Sequence, residues 1–256
     1  MTPHPEMLLE REKEALYLHE SDVRADDVQL ARRVTSVYVY EAPVRIWHWF
    51  NALLIVVLCV TGYLIGKPLP TMGVGEASDS FQFGYIRFVH FTAGQLLALA
   101  FLCRFVWAFL GNHHARQLFY LPFWSRVFRK ELAWHTRWYM FLEKDPRKYI
   151  GHNPVAQVAM FFFITLGLPF MILSGFALYS EGAGRGTWVD WAFGWFIPFV
   201  GSSLDVHMLH RLGMWALVIF TILHVYAAIR EDIMSRQSMV STMISGHRTF
   251  KDDDPE

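Results

Sequence analysis

The sequence predicts an all-α integral membrane protein built as a four-helix bundle, and three observations carry that expectation. Hydrophobic residues make up 54% of the 256-residue chain and charged residues 18%, where an average soluble protein has about a quarter charged residues. Four stretches of roughly 20 apolar residues suit a hydrocarbon core of about 30 Å. Lys and Arg crowd into alternate connections between those stretches.

The elements follow in chain order. Residues 1–36 form a polar tail of mixed charge with no signal-peptide apolar core, read as amphipathic or disordered. The bundle is expected over 37–235 and a C-terminal tail over 236–256. Ile46 to Gly66 holds no charged residue, and Phe88 to Leu110 holds one, Arg104. The third stretch, Tyr149 to Ser180, is uncharged and begins its helix at Asn153-Pro154, since proline suits a first helical turn. Leu212 to Ile229 is the fourth. A shorter run, Trp191 to Leu204, contains Pro198 and Gly201 and reads as a re-entrant or interfacial piece, with a buried loop as the alternative.

Charge placement orients the bundle. Eighteen of the 23 Lys and Arg fall in the N-terminal tail, the connection between stretches two and three, and the C-terminal tail. Both termini are therefore expected in the cytoplasm. That second connection interleaves Trp, Phe and Tyr with basic residues, a pattern that lies along lipid headgroups. Zero net charge and the position between two spans argue against nucleic acid. Cys59 and Cys103 sit singly in apolar runs, so no disulfide framework, iron–sulfur cluster or zinc site is expected.

Four of twelve histidines, His48, His90, His210 and His224, lie in or at the ends of the stretches, where ionisable groups mark function. A lone histidine there could equally be a hydrogen bond between helices. Spacing favours a ligand reading. His210 and His224 are 14 residues apart, about 40° from one face and about 21 Å apart along a helix axis. His48 matches the depth of His224, and His90 that of His210. Paired imidazoles saturate a haem iron, which suits electron transfer. Gly62, Gly94 and Gly213 on the same faces would let a flat macrocycle approach, or would serve plain helix contacts. Arg104 would meet a haem propionate or snorkel to the interface. His207, three residues before His210, is the rival outer ligand. His113, His114 and His135 are expected to titrate in solvent. Glu231 and Asp232, just past the fourth stretch, read as a solvated helix end, with proton delivery as the alternative. His152, Asn153 and Gln157 form a candidate quinone pocket.

With those residues in hand, the chain resembles the cytochrome b subunits of membrane-bound nickel–iron hydrogenases. The resemblance rests on EAPVRIWHWFN, TGYLIGKPLP, GYIRFVHFTAG, GHNPVAQ, SGFALYS and DVHMLHRLGMW…HVYAAIREDIMS, in order from about Val37 to Gly246. It implies two b haems in the bundle, an inner one on His48 and His224 and an outer one on His90 and His210. It also implies a partner with an iron–sulfur small subunit and a nickel–iron large subunit on the outer face, and quinone as electron acceptor. No residue set here is expected to activate hydrogen. The alternatives are the anchor of a formate dehydrogenase or related quinone-linked oxidoreductase, and a haem-free transport or assembly protein.

Overall fold

The computed structural model describes residues 14–16, 34–70 and 81–251. Expectations for the rest of the two tails and for the first connection lie outside these residues. The chain is mostly helical. Helix α1 covers Ala42–Gly66, α2 Gln82–Leu110, α3 His113–Arg116 and α4 Arg126–Tyr139. Helix α5 covers Pro154–Met160 and runs through a π-helical turn, Phe161–Leu166, into α6, Gly167–Ala183. Short helices α7, Trp188–Phe193, and α8, Phe196–Val200, lead into α9, Ser203–Met234, and then α10, Met239–Ser245.

Four helical spans are long and apolar enough to cross a membrane: Ala42–Gly66, Gln82–Leu110, Pro154–Ala183 and Ser203–Met234. Each agrees with one of the sequence stretches, and α9 is much longer than its stretch. Its 32 residues rise about 48 Å, well beyond a hydrocarbon core, which is why it tolerates Asp205 and Arg211 near one end and Arg230, Glu231 and Asp232 near the other. The start is sharp because Ser202 and Asp205 form a reciprocal capping box, satisfying two of the orphan N–H groups of the first turn. Leu53, Val56, Val60, Leu99, Leu102, Val106, Ile219 and Ile222 are all exposed. In a bundle that lipid surrounds, apolar side chains point outward as well as inward.

Helix α1 packs along α2, α6 against α2 and α9, and α9 touches α1. Between the two ends a buried layer of Leu54, Ala93, Leu97, Ile164, Leu168, Leu217 and Phe220 closes the centre. The π turn lies in this layer. Pro169 has no N–H to give the carbonyl four residues back, and the ladder shifts by one residue so that Gly167 N–H bonds Phe162 O. Such a turn re-aims every side chain after it by about a third of a turn.

An element absent from the sequence reading lies at the terminal end of the bundle, where α1 begins and α9 ends. Strand β2, Val34–Tyr38, pairs antiparallel with β3, His247–Lys251, and with the short β1, Glu14–Leu16, on its other edge. Gly246, at φ 87°, turns the chain from α10 into β3 in a left-handed conformation that glycine adopts without a steric cost. Its carbonyl accepts from the N–H groups of Val39 and Tyr40. The run Trp191 to Leu204 is neither a span nor a buried loop. It forms α7, α8 and the start of α9, with Trp188, Trp191, Trp195 and Phe199 largely exposed, as interfacial aromatic residues are.

Candidate functional site

Two histidine pairs face each other inside the bundle. His48, in the second turn of α1, meets His224 of α9 with ring centroids 6.3 Å apart. His90 of α2 meets His210 of α9 at 6.5 Å. The pairing is the one the depth argument anticipates. His207 is exposed, its Nδ1 lying 2.9 Å from Ser203 O on its own helix, so it stands beside the outer pair rather than in it.

These separations lie within the range of about 4.5–7 Å of ordinary tilted and edge-to-face ring contacts. Each pair brings two imidazoles from different helices together, and such a pair could hold one haem iron. Among the described residues no group of three or more His, Cys, Asp or Glu gathers to hold a bare metal ion.

Space at the outer pair fits the macrocycle. A cavity of about 840 Å³ opens there, lined by Gly62, Gly94, Gly175, His90, His210 and Arg211 among others. A Cβ on Gly62 would come within 3.1 Å of His90 Cε1, and one on Gly175 within 3.3 Å of His210 Cε1. These glycines leave room for the rings to stand where they do. Gly94 faces open space. A Cβ on Gly213 would run into Met171 Sδ, which fits the helix-contact alternative at the junction of α9 and α6. Spacing does not single out Gly175, because its span holds no histidine from which to count a face. Arg87 and Arg211 supply positive charge at the cavity rim.

At the inner pair His224 stacks on Phe220 at 5.7 Å, and Phe220 stacks on Phe163. His48 Nδ1 is buried without a hydrogen-bond partner among the described residues. Arg104 is 3% exposed, which decides against snorkelling. Its guanidinium lies over Trp47 and Phe119 and donates one hydrogen bond to Ala115 O at 2.7 Å. Its Nε and Nη1 have no hydrogen-bond partner among the described residues. A buried cation with two donors available, packed on Trp47 next to His48 in the chain, fits an anionic propionate.

The terminal end holds a polar layer that corrects two expectations. His135 is fully buried and Glu231 is 2% exposed; neither is a solvated group. The cause is α4, whose apolar face folds over the ends of α5 and α9 and covers them. Glu231 accepts from Asn153 Nδ2 at 2.6 Å and from the Tyr139 hydroxyl, and lies 3.9 Å from His135 Nε2. Burial, with help from the Arg230 charge, pushes the His135 imidazole down to about 4. Asp232 accepts from Val240 N–H, holding α10 in place. His114 is half-buried, and burial lowers its pKa, while His113 is exposed.

Residues proposed for a quinone sit in the same layer. Asn153 caps α5 by accepting from Ala156 N–H while donating to Glu231. Gln157 donates to Tyr120 O at 2.6 Å and to Gln117 O at 3.3 Å. His152 Nδ1 is 3.3 Å from both the Tyr40 hydroxyl and Gln117 Oε1. Arg248 of β3, 2% exposed, donates to the carbonyls of Tyr149 and Gly151 and pins the approach to α5. The three candidates are thus neighbours that already have partners inside the protein.

A helical membrane bundle with two facing imidazole pairs between its helices fits a b-type cytochrome. Comparison with known proteins agrees. The family model for prokaryotic cytochrome b561 matches residues 39–246, and the chain belongs to that family. It is 61% identical over 232 residues to the "Probable Ni/Fe-hydrogenase B-type cytochrome subunit" of Rhodobacter capsulatus, covering 91% of this chain and 88% of that protein. Its identity to the protein of the same name from Azotobacter vinelandii is 59%, over 93% of this chain and 99% of that one. For the "Probable Ni/Fe-hydrogenase 1 B-type cytochrome subunit" of Escherichia coli strain K12 it is 48%, over 87% and 95%.

Proposed function

We propose that the chain is the membrane electron relay of a hydrogen-oxidising complex, anchoring a nickel–iron hydrogenase on the outer face of the inner membrane and passing its electrons to quinone. The observation that carries this reading is the pair of facing histidine couples, His90 with His210 and His48 with His224, standing at two depths along one helix. Relatives of 48–61% identity that are named as hydrogenase B-type cytochrome subunits supply the partner. Bound between these imidazoles, two b haems supply reversible one-electron chemistry with no open coordination position.

The chain's own residues do the rest. His210 and His224 on α9 hold the two sites about 21 Å apart along the helix, and the buried layer around Leu168 and Phe220 keeps water from the space between. Arg104 at the inner site and Arg211 at the outer offset negative charge on the cofactor edges. The basic connections put both termini in the cytoplasm, so electrons move inward against a field that is negative inside. Each stores roughly 2.3 kcal/mol per 100 mV. Quinone is reduced at the terminal end, near His152, Asn153 and Gln157, with protons taken from the cytoplasm.

Haem stoichiometry and a reduced-minus-oxidised spectrum of the purified complex test this. Two haems per chain, both reduced on adding hydrogen, is the expected result. A colourless chain, or haem that hydrogen cannot reduce, would overturn it.

A further inference from the structure

Each outer histidine is held by a hydroxyl from a neighbouring helix. Thr61 Oγ1 of α1 lies 2.8 Å from His90 Nδ1, and Ser174 Oγ of α6 lies 2.8 Å from His210 Nδ1. A hydroxyl has one proton to give. Thr61 gives it to Val57 O at 2.7 Å, and Ser174 to Phe170 O at 2.7 Å, each four residues back on its own helix. A backbone carbonyl can only accept, so in both pairs the imidazole is the donor and the hydroxyl oxygen the acceptor. The proton then sits on Nδ1 of both rings, and Nε2 carries the lone pair. Two helices that share no sequence reproduce the same arrangement around one cavity. The inner pair differs: His48 Nδ1 has no such acceptor among the described residues.

We propose that Thr61 and Ser174 are positioning residues that set the tautomer of the outer histidines and lower the reduction potential of the outer haem relative to the inner one. The proposal rests on the haem reading above. An acceptor on Nδ1–H makes the imidazole a stronger donor through Nε2, which favours the ferric over the ferrous state. A lower potential outside and a higher one inside make the inward electron step downhill, which opposes the membrane field that the same step must work against.

The experiment is a spectroscopic redox titration of the purified complex, following both haems, for the wild type and for Thr61→Val, Thr61→Ser, Ser174→Ala and Ser174→Thr. Thr61→Val keeps the side-chain shape and removes the hydroxyl acceptor, leaving the Leu58 carbonyl that also bonds His90. Thr61→Val and Ser174→Ala each shift the outer midpoint upward, their effects add in the double variant, and the inner midpoint stays where it is. Thr61→Ser and Ser174→Thr keep an acceptor and restore the wild-type value. An outer midpoint unchanged or lowered in both deletion variants, with two haems still bound, overturns the proposal. So does a shift of equal size in Thr61→Ser and Ser174→Thr, since packing alone would then explain it. Absence of an outer haem in the wild type itself would instead count against the haem reading.

Discussion

Single side chains at the two ends of α9 separate function from scaffolding. His210 faces His90 while His207 turns to Ser203 O on its own helix, although both lie on nearly one helical face. His210→Ala is therefore expected to remove the outer haem and with it hydrogen-dependent reduction of the whole chain, as haem content and a hydrogen-reduced spectrum would reveal. His207→Ala should keep two haems. The reverse pattern would move the assignment to His207. His135 makes a different prediction, for stability. Its folded pKa of about 4 lies below the ordinary value of about 6.5, so below pH 6.5 the unfolded chain binds a proton that the folded one refuses. Stability should fall as pH drops from about 6.5 to about 4, and change no further through this group below that. Arg230 pushes in the same direction, while Glu131 opposes it and Glu231 stands 3.9 Å away. Thermal unfolding of His135→Phe should show a flatter acid limb than the wild type over that window; equal slopes would rule out His135 as its source.

At the scale of elements, the junction between α5, α9 and α4 decides the terminal end. Asn153 both caps α5 and partners the buried Glu231. Loss of the cap alone costs about 0.5–2 kcal/mol, and a buried acceptor deprived of its donor costs about 1–3 kcal/mol more. Asn153→Ala should lower the melting temperature accordingly, an effect His152→Ala lacks in the cap. If quinone is reduced here, both variants slow quinone turnover while hydrogen still reduces the haems and artificial dyes at the wild-type rate. Unchanged quinone turnover and inhibitor binding in both would put the pocket elsewhere. The interleaved aromatic and basic residues of α4 were legible in the sequence as a segment lying along lipid headgroups. Its covering of His135 and Glu231 was not, because a hydrophobic face says that something is buried and not which polar groups lie beneath it. The π turn was equally hidden: Pro169 signals a disturbance in the ladder, but the direction in which the helix recovers is settled by packing against Leu217 and Phe220.

At the scale of the whole molecule, two sites share α9 and otherwise use different helices, α1 for one and α2 for the other. Removing one should leave the other intact. His224→Ala is expected to lose the inner haem alone, leaving one haem per chain that hydrogen still reduces, while quinone reduction falls to background. Two haems retained in that variant would disprove the pairing. The sheet that joins β2 to β3 adds a second constraint, since it ties both ends of the bundle's chain together on one side and, through Arg248, to the start of α5.

The sequence by itself determined the four spans, their shared-helix logic and the identity of the four facing histidines. Hydrophobic length and a 14-residue spacing are one-dimensional quantities that a regular helix converts directly into depth and face. Tertiary structure alone decided the rest: that Thr61 and Ser174 stand at hydrogen-bond distance from His90 and His210, that Gly175 makes room at the outer pair, and that Glu231 and His135 are buried side by side. Each of those depends on how far one helix is rotated against another, and hydrogen bonds between helices respond to shifts of about an ångström that no periodicity encodes.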